Sequence, residues 1–188
     1  AVVIGSMLLA PLMTPMLGMG LALNQVNVKL AFASFRAIGR GFVAALAISF
    51  VLGLVTPGFD LTPEIAARTE PNILDLLIAL FSGAAAAYAL ARPSLAGTIA
   101  GVAIATALVP PLCSVGISLA YRQFPESIGA LFLLVANVLA IILAAATTFR
   151  LMGLRALTTT THQTSWVRYV VAGLCVCALA IAFPLATV

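Results

Sequence analysis

Hydrophobic positions gather into six long runs separated by short polar stretches. The runs cover residues 1–23, 38–56, 73–91, 94–120, 128–149 and 168–188. Each is close to the ~20 residues with which a helix crosses the hydrocarbon core of a bilayer. The stretch 24–37 is too polar to span and reads as a connection holding a short interfacial helix. Residues 57–72 carry Asp60, Glu64, Arg68 and Glu70 and read as a solvated loop. Arg92-Pro93 reads as a tight turn, and 150–167, with its threonine tract and His162, as a polar connection. The expected fold is an all-α polytopic membrane protein, a single transmembrane domain over residues 1–188 with six spans.

Composition strengthens that reading. Of 188 residues, 63% are hydrophobic and 7% charged, against roughly 25% charged in a soluble domain. A water-soluble globule this poor in charge could not cover its own surface. This excludes a soluble enzyme, a nucleic-acid binder and a secreted disulfide module. The net charge of +4 comes from basic residues scattered between apolar runs, without the clustering that nucleic acid requires. The three cysteines, Cys113, Cys175 and Cys177, all lie in apolar runs and read as small packing residues. No nucleophile–base or paired-acid set appears, and no metal-ligand spacing. The expectations are no enzyme, no cofactor and no metal, with membrane lipid as the surroundings and a homo-oligomer as the assembly.

The charges sort by side. Connections after the first, third and fifth runs, with the opening residues of the runs that follow, hold Lys29, Arg36, Arg40, Arg92, Arg150, Arg155 and Arg168; those after the second and fourth hold only Arg68 and Arg122. Every loop acid (Asp60, Glu64, Glu70, Glu126) lies on that second side. Basic connections stay in the cytoplasm, so 24–37, 92–93 and 150–167 are expected to be cytoplasmic, in a bacterial inner membrane.

The first and fourth runs are interrupted by proline: Pro11 and Pro15 in one, Pro110 and Pro111 in the other. Proline inside a helix removes a donor and clashes with the preceding turn, so both helices are expected to break. A shift of 96 residues lays Gly5 on Gly101, Leu12 on Leu108, Pro15 on Pro111, Gly20 on Gly116 and Leu23 on Leu119. The chain therefore reads as two three-span repeats, 1–91 and 94–188. Three is odd, so the second copy enters from the opposite side. This is the inverted-repeat plan of many secondary transporters. Half-helix N-termini at the breaks would suit an anionic or strongly polar solute. The plainer reading is that the prolines only kink packed helices. Gly18, Gly20, Gly97, Gly101 and Gly116 fit either view, because small residues also let helices approach closely.

Polar side chains at membrane depth are the candidate solute- or ion-binding residues. Ser6 and Thr14 lie near the first break, Thr106 and Ser114 near the second. Serine and threonine also bond their own helix backbone. Asn137 sits mid-way along the strongly apolar fifth run and needs partners across helices, as a site or as a clamp. Asp75, the sole acid inside a run, lies near the outer end of the third. Ser82 and Tyr88 are weaker candidates.

The two proline segments carry a family resemblance. The stretch from Ala1 to Pro15, AVVIGSMLLAPLMTP, and that from Gly101 to Leu112, GVAIATALVPPL, resemble the two signature segments of the DUF389 family of bacterial, archaeal and plastid membrane proteins. The resemblance extends over essentially the whole chain. It implies a soluble N-terminal domain and one further helix before Ala1, which places Ala1 outside, in agreement with the charge count. It carries no established activity. The leading expectation is a domain that binds or moves a small polar or anionic solute at paired broken helices near the bilayer midplane. The alternatives are an oligomeric scaffold or sensor anchoring a soluble domain, and a channel.

Overall fold

A computed structural model describes residues 12–55, 72–92 and 97–154. These form α1 (Met13–Gln25), α2 (Val28–Val55), α3 (Ile73–Ala91), α4 (Gly97–Ala120) and α5 (Phe124–Leu151). Four of them, α2 to α5, contain stretches long and apolar enough to cross a membrane. The expectation of an all-helical membrane protein holds at that level. Residues 1–11, including Ser6 and Pro11, and the sixth run at 168–188 lie outside the described residues.

Two expectations change. Residues 28–37 are not a separate interfacial piece; they are the opening turns of the continuous 28-residue α2. The stretch 24–37 looked polar because Asn24, Gln25 and Asn27 at the turn are followed by Lys29 and Arg36, which with Arg40 fall on one exposed face of α2. The connection from α1 is then only Val26-Asn27. The second correction concerns the fourth run. α4 passes through Pro110 and Pro111 without a break. Pro15 sits in the first turn of α1, where the missing N–H has no intrahelical partner to lose.

Among the described helices α5 packs against α1, α3 and α4, and α4 packs against α2, α3 and α5, while α2 also packs on α1. Met16, Leu17, Leu108, Leu112, Ile141 and Phe149 are fully buried between them. Phe35, Val43, Phe81 and Phe132 face outward, as apolar side chains do where the surroundings are lipid.

Helix directions follow from near contacts. Gly18 approaches Ser34 while Gly41 approaches Leu12, so α1 and α2 are antiparallel. Asn137 bonds Ala107 and Ser127 bonds Val115, so α4 and α5 are antiparallel as well. Gly20 meets Ala145, and the Asn24 side chain donates to the Leu154 carbonyl at 2.8 Å, so α1 runs with α5. It follows that α1 runs against α4.

The connections after α1 and α4 match at the same offset of 96. Val26 (φ 55°) and Arg122 (φ 58°) are the non-glycine residues with left-handed backbone among those described. Asn27 N–H donates to the Ala22 carbonyl at 3.0 Å and Gln123 N–H to the Ser118 carbonyl at 2.9 Å. Ala31 N–H donates to Asn27 and Ser127 N–H to Gln123. This is one Schellman-type turn made twice. A branched valine in the left-handed region is uncommon enough that its recurrence at the equivalent position is informative.

The interlocks between helices match too. A Cβ on Gly20 would lie 2.9 Å from Ala145 Cβ, 3.1 Å from Ala146 N and 3.3 Å from Ile142 O. A Cβ on Gly116 would lie 2.5 Å from Ser49 Cβ, 3.0 Å from Phe50 N and 3.1 Å from Leu46 O. Residues 46, 49 and 50 plus 96 give 142, 145 and 146, atom for atom.

Candidate functional site

The two prolines of α4 remove the N–H groups that would have bonded the carbonyls of Thr106 and Ala107, four residues back. Their fates differ. The Ala107 carbonyl is buried and accepts from Asn137 Nδ2 at 2.9 Å. A side-chain amide on α5 thus replaces the backbone donor that Pro111 lacks, which explains how the helix passes its second proline intact. Asn137 is 2% exposed, and its Oδ1 is buried without a hydrogen-bond partner. The pair lies near the middle of both helices, since Ala107 falls midway along Gly97–Ala120 and Asn137 midway along Phe124–Leu151.

The Thr106 carbonyl belongs to a different surface. Most of α4 from Ile104 to Ser118 is buried, but Thr106, Val109, Pro110, Cys113 and Ile117 are half-buried or exposed, and with half-buried Ala103 they recur at helical spacing. They make one open stripe. Thr106 is its most exposed member among them, and its hydroxyl donates to the Ala103 carbonyl at 2.8 Å. What this residue offers outward is therefore acceptor capacity.

The other candidates scatter. Thr14 is exposed in the first turn of α1, and Ser114 is buried in α4. Asp75 lies in the first turn of α3, behind Asn72, whose side chain accepts from Leu74 N–H at 3.2 Å. An acid there complements the helix dipole, far along the axis from the mid-helix pair. A Cβ on Gly18 would meet Ser34 Oγ and one on Gly101 would lie 3.2 Å from Met13 Sδ, so both stand at close contacts with a neighbouring helix. Ser82 is buried and Tyr88 lies under Arg92 at 5.6 Å. Sequence reasoning passed over Ser118 and Gln123, each with a buried oxygen lacking a partner near the α4–α5 turn. Ser118 lies toward the end of its run and Gln123 in the short connection beyond it, away from the proline segment that Thr106 and Ser114 flank.

These residues fall within a known sequence family. A model described as a domain of unknown function, DUF389, matches residues 7–143. The chain belongs to the DUF389 family. It is similar to the uncharacterized protein MJ0678 of Methanocaldococcus jannaschii, with 29% identity over 154 residues, 82% of this chain and 48% of that protein. The chain thus spans about half the length of the curated relative it matches. No solved structure matches it. The DUF389 match takes in α1 to α4 and reaches through Asn137, so Pro11, Pro15, Pro110, Pro111 and the amide lie inside it, while residues 1–6 of the first segment do not.

Proposed function

We propose that this DUF389 domain is built from two inverted repeats and binds and passes a small polar solute along the open stripe of α4. The observation that carries the proposal is the Thr106 carbonyl, deprived of its α-helical donor by Pro110 on the one open face of a mostly buried mid-membrane helix. A backbone carbonyl without its helical bond is tolerated at membrane depth where it meets protein or lines a water-filled path. The opposed directions of α1 and α4, the duplicated turn and the matched glycine interlocks support the inverted repeat, an architecture common among secondary transporters.

The geometry at α4 favours one solute class. Preference for an anion rested on half-helix N-termini, and α4 presents none between Gly97 and Ala120; the start of α1 at Met13, beside Gly101, is the N-terminus that remains. The groups that α4 and α5 offer at this depth are acceptors: the carbonyl and hydroxyl of Thr106, and Asn137 Oδ1. Acceptors favour a solute bearing N–H or O–H donors, or a small cation. The role proposed is non-catalytic, in a homo-oligomer whose basic end faces the cytoplasm.

A second reading has its own support. The Asn137–Ala107 bond closes the backbone inside an apolar core, as suits a rigid scaffold. Uptake by proteoliposomes containing the purified protein separates the two. Methylammonium and glycerol are expected to enter faster than in protein-free vesicles, and P110A, which returns an N–H to the Thr106 carbonyl, is expected to slow them roughly tenfold, about one hydrogen bond. Entry of chloride or phosphate alone would reverse the solute class. No protein-dependent entry of any of the four would favour the scaffold.

A further inference from the structure

We propose that the first half of α2 is a binding site for an anionic phospholipid, with its phosphate on Arg36 and Arg40. This inference does not rest on the solute reading. Lys29, Arg36 and Arg40 are spaced by seven and four residues, which places them within about 40° of one another around the helix. All three are exposed. The buried face of α2, marked by Ser34, Ile38, Ser49 and Gly53, lies about 180° round from them. The cations therefore point directly away from the protein.

Their depth suits a headgroup. Twenty residues counted back from Val55, about one hydrocarbon thickness, end at Arg36. Arg40 lies one turn inside and reaches outward along its own apolar stem, while Lys29 lies about 10 Å further out. The Arg36 guanidinium sits 5.8 Å from the centre of the Phe32 ring, which holds it at this level. Below the arginines the same face continues as Val43, Ala47 and Val51, all exposed. A lipid has a phosphate for the first part and an acyl chain for the second; a free phosphate has only one of them.

The surrounding charge agrees. The end of the bundle where α2 begins also holds Arg92 and Arg150, and no acid among the described residues. Asp75 and Glu126 stand in the first turns of α3 and α5, at the opposite end.

The test is retention of phosphatidylglycerol by the detergent-purified protein, counted by native mass spectrometry. Wild type is expected to retain phosphatidylglycerol over phosphatidylcholine, and R36Q and R40Q to weaken retention about fivefold each. The double lysine variant R36K/R40K keeps the charge and is expected to keep most of the binding. R122Q, at the other end, is expected to change nothing. Unchanged retention in R36Q/R40Q, equal retention of phosphatidylcholine, or displacement by millimolar inorganic phosphate would each overturn the proposal. Thermal unfolding of each variant, expected to match wild type without added lipid, separates lost binding from lost folding.

Discussion

Replacing Asn137 by leucine is expected to destabilise the domain strongly only while Pro111 is present. Asn137 Nδ2 is the donor for the buried Ala107 carbonyl, and the backbone N–H that would otherwise serve it is absent at Pro111. Leaving a buried acceptor unmet costs about 1–3 kcal/mol. P111A restores the backbone donor, so N137L in that background is expected to cost under about 1 kcal/mol, near the smaller values typical of interhelical bonds in membranes. Unfolding of the four proteins of the cycle in mild detergent measures the difference. A coupling near zero would show that the amide and the proline act independently. The direction of the effect also bears on function: if Asn137 serves the solute and not the helix, N137L would change uptake while stability stays level in both backgrounds.

The second large effect is expected at paired glycines. A single methyl on Gly116 would meet Ser49 Cβ at 2.5 Å and backbone atoms of α2 near 3 Å; on Gly20 it would meet the equivalent atoms of α5. Backbone cannot turn aside as a side chain tip does, so the helices must separate. Overpacking of this kind costs about 1–3 kcal/mol, and leucine at either site is expected to exceed the alanine cost. G20A and G116A are expected to lose stability by similar amounts, because both methyls enter the same three-atom pocket. Gly39 is the control, with open space around its Cβ position; G39A is expected to be neutral or slightly stabilising through helix propensity. A large loss at Gly39, or none at Gly20 and Gly116, would contradict the packing described.

Much of the fold is readable in the sequence because lipid imposes a simple rule. α3 begins and ends where its apolar run does, and α4 and α5 differ from theirs by a few residues. The rule misled at 24–37, where a polar average concealed the start of an amphipathic helix: Lys29 and Arg36, joined by Arg40, on one face, with Ser34 and Ile38 buried on the other. It also misled at Pro110-Pro111. Proline has a local cost that sequence reveals, but the donor that offsets it lies 30 residues away on another helix. Asn137 was identifiable as a residue needing partners, not as the one that completes the backbone of α4. The offset of 96 was readable from glycine and proline alone. Its atomic basis, a turn with a left-handed valine and arginine, had no signature in residue type, since glycine is what such turns usually carry.

The inverted repeat is tested most directly by where two equivalent turns lie. Asn27 and Gln123 occupy the same position in the turns that follow α1 and α4. With Cys113, Cys175 and Cys177 replaced by alanine, single cysteines at these two positions can be labelled in intact cells with a membrane-impermeant maleimide. The expected result is that Q123C reacts from outside and N27C reacts only after the membrane is opened. Reaction of both from the same side would mean that the two repeats enter the membrane in the same direction, and the inverted architecture would be wrong.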